Sequence, residues 1–191
     1  GKGPATLSYR IDANTGLTRT GGIFVGQVPF TITQMYLNHP PRPQSASPDS
    51  EDGPTGEFTL VYEDPEGYQD LKIARFNVNT SDGLAGGCAL ELNPANGTLR
   101  LAGDNGTAWS PWTPFSNAVS LKNSQCGVLS VRSDRSMDTA DEQTLILDLI
   151  FRSTFAGSRN LYMSASDASD AESGWQYMGA WTVVNEAPSA V

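Results

Sequence analysis

Groups suited to catalysis are scarce in this 191-residue chain, which has one histidine, His39, and two cysteines, Cys88 and Cys126. A Ser–His or Cys–His nucleophile pair would have to be built on His39, in the middle of a Pro-rich stretch. There is no Gly-x-Ser-x-Gly elbow and no phosphate-cradling Gly-rich loop. One His and two cysteines that can pair with each other do not supply a zinc site. Basic residues are few, 12 Lys and Arg against 21 Asp and Glu, so the net charge is −9. Such a chain repels a duplex phosphate backbone and an anionic membrane surface, so neither nucleic acid nor membrane is an expected partner. No apolar run approaches the length of a membrane span. These absences lead to the expectation of a protein that is not an enzyme.

Apolar residues make up 38% of the chain, enough for a core, and 19 Gly and 12 Pro interrupt it every few residues. That pattern predicts many short strands joined by tight turns. Three strands are expected first. Ala5–Asp12 alternates, with Leu7, Tyr9 and Ile11 on one face; Arg19–Val25 and Val28–Gln34 follow, with Gly26-Gln27 as a hairpin turn. Residues 37–56, rich in Pro, Ser and Asp, read as a linker. From Glu57 the strands resume, at 57–63, 71–78, 88–92, 98–101, 127–131, 144–151, 160–166 and 175–184. About eight strands with turn signals between them predict a β-sandwich over 57–185. Alternation assigns Trp175 with Tyr177, and Trp181 with Val183, to its core. Residues 186–191 read as the start of a next linker or unit. Asn38-His-Pro-Pro41 and Asn185-Glu-Ala-Pro188 repeat one Asn-x-x-Pro pattern, either a seam between units or a coincidence in a Pro-rich chain.

Three strands cannot bury a core of their own. Residues 1–36 therefore need a covering surface, from preceding sequence, the following domain or another chain. The chain opens at Gly1 rather than Met and shows no signal peptide, which reads as a processed or trimmed product. An even cysteine count in a Gly/Pro-rich β protein suggests a disulfide and an oxidising compartment; the alternative is two buried free thiols. A Cys88–Cys126 bridge would close a loop of 38 residues, worth roughly 3–4 kcal/mol by chain entropy.

Hard oxygen ligands are plentiful, and calcium is the metal they favour. Asp64, Glu66 and Asp70 crowd one turn; Asp167 and Asp170 crowd another. The competing and preferred reading is ordinary turns whose Asp side chains cap backbone groups, with no cofactor. Trp109 and Trp112 lie in a loop beside Pro111 and Pro114. They could stack on sugar rings or plug the end of the sandwich. Asp134, Asp138, Asp141 and Glu142 form an acidic run that reads as a solvated loop rather than a paired-carboxyl catalytic site.

Two resemblances accompany this reading. Ala5-Thr-Leu-Ser-Tyr9, Ala13-Asn-Thr-Gly16, Arg19-Thr-Gly-Gly-Ile23 and Phe30-Thr-Ile-Thr-Gln34 resemble the C-terminal half of a BACON-type β-sandwich domain. Tyr62-Glu-Asp-Pro-Glu-Gly-Tyr68, Asp104-Asn-Gly-Thr-Ala-Trp109, Asn123-Ser-Gln-Cys126 and Ser173-Gly-Trp175 resemble an uncharacterised Ig-like repeat of large secreted acidobacterial-type proteins. The first implies carbohydrate or mucin binding, or a spacer role in surface enzymes. The second has cysteines at the places of Cys88 and Cys126, which favours the bridge by resemblance. Neither carries catalytic residues. The expectation is an all-β protein: an Ig-like sandwich preceded by three strands of an incomplete second sandwich. It would be extracellular or on a cell surface, structural and non-enzymatic, and would associate with other copies of itself or with neighbouring domains; a carbohydrate-binding or adhesion module is the alternative.

Overall fold

Apolar alternation between Gly and Pro breaks gives strands along most of the chain. The computed structural model describes residues 3, 6, 8–14, 16, 18–134 and 139–185. It is all-β and divides into two units, Gly1–Asn38 and His39–Val191.

The first unit is a hairpin of β1 (Arg19–Val25) and β2 (Val28–Gln34). Gly26 adopts φ 65°, the left-handed conformation that a two-residue hairpin turn demands. The register sets Gly21 opposite Ile32, Ile23 opposite Phe30 and Val25 opposite Val28, so one face is apolar. The expected third strand over 5–12 does not appear among the described residues. Ala5 and Leu7 lie outside the described residues, and residues 6 and 8–12 carry no ladder. Side chains take over the ladder's role there: Gln34 Nε2 donates to Asp12 O at 2.8 Å, and Arg19 Nη2 to the same oxygen at 3.0 Å.

The second unit contains β3 (Arg42–Ser47), β4 (Ser50–Asp52), β5 (Thr55–Glu63), β6 (Leu71–Asn79), β7 (Cys88–Asn93), β8 (Thr98–Leu101), β9 (Thr113–Pro114), β10 (Cys126–Ser133), β11 (Glu142–Phe151), β12 (Gly157–Asp167) and β13 (Gln176–Val183). They form a four-stranded sheet, β10-β11-β5-β3, and a seven-stranded one, β4-β13-β12-β6-β7-β8-β9. The inward residues of both sheets share one core. Phe58 of β5 lies 5.0 Å from the Phe76 ring of β6 and 5.1 Å from Trp181 of β13, both on the facing sheet.

The expected linker over 37–56 is corrected: most of it belongs to the sandwich. β3 pairs with β5, and β4 runs parallel to β13. Composition misleads here because β3, which holds Pro43, is an edge strand, where proline is tolerated, and β4 is only three residues long. Pro41, Pro43 and Ala46 point inward and are buried. Tyr177 is a second correction, being exposed while Trp181 and Val183 are buried. Leu161 pairs with Gly179 and Tyr162 with Tyr177, so Met178 is an extra residue that reverses which face Tyr177 takes. The junction repeat at 185–188 and the segment 186–191 fall outside the described residues, apart from Asn185.

Candidate functional site

The two acidic turns, separate in sequence, meet at one end of the sandwich. Asp64 directly follows β5, Asp70 closes a single 3-10 turn (Tyr68–Asp70) that leads into β6, and Asp167 ends β12. Pairing of β6 with β12 sets Leu71 opposite Asp167, and Ala168 N donates to Asp70 O at 2.9 Å. Gly67, at φ 110°, lets the β5–β6 connection fold back, and its N–H donates to Asp64 O at 2.9 Å. One carboxylate oxygen from each of Asp64, Asp70 and Asp167 then lies within 4.8 Å of the other two.

The capping alternative accounts for part of this geometry. Asp64 Oδ1 accepts the Glu66 N–H at 2.9 Å, and Asp167 Oδ1 accepts those of Ser169 and Ala171 at 2.8 and 2.9 Å. It does not account for Asp64 Oδ2 or Asp70 Oδ2, which are buried and have no hydrogen-bond partner. Asp64 is 1% exposed and Asp167 fully buried. Burial raises the Asp64 carboxyl to about 6; the Glu66 N–H opposes this, and the charges of Asp70, Glu66 and Asp167 add to it. Asp70 is also raised, by burial first and then by Asp167 and Glu66.

Glu66 and Asp170 are engaged elsewhere. Glu66 accepts the His39 N–H at 3.2 Å and meets His39 Nδ1 at 2.7 Å. Asp170, in the left-handed conformation at φ 63°, pairs with Lys72 Nζ at 2.5 Å in an exposed position. Of the acidic run over 134–142, Asp138 lies outside the described residues, while Thr139 caps the turn by accepting the Glu142 N–H at 3.1 Å.

Cys88 and Cys126 form a disulfide that joins β7 of one sheet to β10 of the other. Asn123 organises both approaches. Its Oδ1 accepts the N–H groups of Gln125 and Cys126, and its Nδ2 donates to Gly87 O beside Cys88. The bridge sits at the end opposite the acidic cluster. Cys126 pairs with the last residue of β11 and Cys88 with Val78 late in β6, whereas Glu63, next to Asp64, pairs with the first residue of β11.

Trp109 and Trp112 converge on Arg100, whose guanidinium carbon lies 4.9 and 4.6 Å from their ring centroids. Arg100 also pairs with Glu91, which accepts a second hydrogen bond from Arg75 Nε at 2.9 Å. The ladder register lines these three up across β6, β7 and β8. Sequence reading missed Arg75, Glu91 and Arg100, because only strand register makes them neighbours. The ring faces turned to Arg100 are occupied by packing rather than open to a sugar.

Among the described residues no helix is long and apolar enough to cross a membrane, which leaves membrane-crossing strands unaddressed. In comparisons with known proteins, the chain matches no family model, no curated protein and no solved structure.

Proposed function

We infer that this chain is a non-enzymatic extracellular structural unit that assembles through its N-terminal hairpin onto another copy of itself. One observation carries the reading: several residues on the apolar face of β1–β2 are exposed. Phe30 is 50% exposed and Val28 57%, and Phe24 on the opposite face is 73% exposed. A two-stranded sheet with such a face is marginal in water without a cover. Among the described residues no further strand pairs with either of its edges, and such edges are suited to strand addition.

Charge favours the acidic sandwich of a second copy as that cover. Residues 1–38 carry Lys2, Arg10 and Arg19 against Asp12 alone, while the other nine Lys and Arg face twenty Asp and Glu in residues 39–191. A basic N-terminal unit with an apolar hairpin, set on an acidic sandwich, is a head-to-tail contact, which extends into a filament when its rotation does not close. The disulfide fits the oxidising compartment that this reading requires.

Sedimentation of the full chain at rising concentration tests the proposal. Association that weakens with salt and is abolished by Phe30→Asp is the expected result. A chain that stays monomeric throughout, or associates equally well with Phe30→Asp, would overturn it.

A further inference from the structure

We propose that Asp64, Asp70 and Asp167 bind one calcium ion, which fastens the two sheets together at the end of the sandwich opposite the disulfide. Asp64 extends β5 of the four-stranded sheet, while Asp70 and Asp167 flank the β6–β12 pairing of the seven-stranded sheet. A cation held by all three is therefore an inter-sheet link.

Three carboxylates gathered this closely repel one another, and burial intensifies the repulsion. Ordinary turn capping needs one oxygen from Asp64 and one from Asp167, and both are in use. The Oδ2 atoms of Asp64 and Asp70 remain buried and without a hydrogen-bond partner. Neither aspartate has a Lys, Arg or His as a salt-bridge partner among the described residues. Buried carboxylates gathered within 4.8 Å of one another need a positive charge among them, or must give up their own.

The donor set selects the ion. All three donors are hard carboxylate oxygens, and among the described residues the group includes no imidazole or thiolate, which suits calcium or magnesium rather than zinc or copper. The oxygens come from three connections of unequal burial, with Asp70 only half-buried. Calcium accepts such irregular, partly hydrated shells, whereas magnesium demands a near-ideal octahedron. The neighbouring carboxylates do not compete for this role, since Glu66 is held by His39 and Asp170 by Lys72.

The test uses the full chain stripped with a chelator and desalted, titrated with calcium chloride in a calorimeter and melted with and without the ion. The expected result is one binding event per chain. At a calcium concentration about a hundredfold above Kd, Tm should rise by about 5–10 °C. Asp70 makes no turn-capping bond, so Asp70→Asn should fold normally yet lose affinity at least tenfold. Asp64→Asn keeps an oxygen for the Glu66 N–H and should behave likewise, while Asp170→Asn should bind as the parent does. Absence of heat and of any Tm shift up to roughly 10 mM calcium, beyond the weak range of extracellular modules, would overturn the site. So would an undiminished shift in Asp70→Asn. A larger shift with magnesium would overturn the choice of ion. If Asp64→Asn alone stabilised the stripped protein and calcium added nothing, two carboxyls sharing a proton would replace the proposal. Because the site lies wholly within residues 39–191, none of these outcomes depends on whether the hairpin assembles.

Discussion

Apolar alternation meets two different fates in the two units. In β5, Phe58, Leu60 and Tyr62 face a second sheet and are wholly removed from water. In the hairpin, Ile23, Val25, Val28, Phe30 and Ile32 share a face just as regularly, yet none is buried. The strands are equally well patterned; what differs is the number of layers. A sheet becomes stable when another layer takes up its apolar side. A pattern of period two announces that side but not the layer that covers it.

Substitutions can sharpen or break this contrast. The largest effect is expected from Phe58→Ala, which removes a ring packed against Phe76, Phe151 and Trp181 and should cost about 3–5 kcal/mol in urea unfolding. Replacing both Cys88 and Cys126 with Ala should cost roughly 3–4 kcal/mol by the same measurement. Glu91→Ala should cost about 2–3 kcal/mol, because it leaves Arg75 and Arg100 half-buried without their shared carboxylate. The same change should alter tryptophan emission as Arg100 loosens from Trp109 and Trp112. Least of all, Phe30→Ala should shift stability by under about 0.5 kcal/mol in dilute monomer, since the ring has little to lose there. A hairpin substitution as damaging as Phe58→Ala would mean that the first unit has a cover of its own, and the contrast would fail.

Much of the strand layout was legible in the chain itself. β1 and β2 stood out through their alternation and the Gly26-Gln27 turn, and β8 was expected at its observed position, 98–101. β3 did not, because Pro41 and Pro43 fill inward positions with rings that composition assigns to a linker. β4 spans three residues, too few to show a period. Tyr177 was misplaced because the extra residue Met178 resets the alternation, and a single-residue irregularity leaves no mark in the pattern. The acidic cluster was half visible. Each turn's aspartates were evident, but their meeting depends on the β6–β12 pairing, which joins distant stretches of chain. The Arg75–Glu91–Arg100 row was invisible for the same reason, since its members become neighbours only once three strands are in register.

The prolines of the sandwich margins bear on how such molecules behave when crowded. β3 ends one sheet and contains Pro43, just where its register with β5 shifts; β9 ends the other sheet and contains Pro114. A proline ring has no amide hydrogen to offer, and its presence in an edge strand is a recognised way of blunting that edge. Edge-to-edge pairing of sandwiches through β3 or β9 is thereby discouraged, which leaves β10 and β4, the margins without proline, as the sides where a further strand could add.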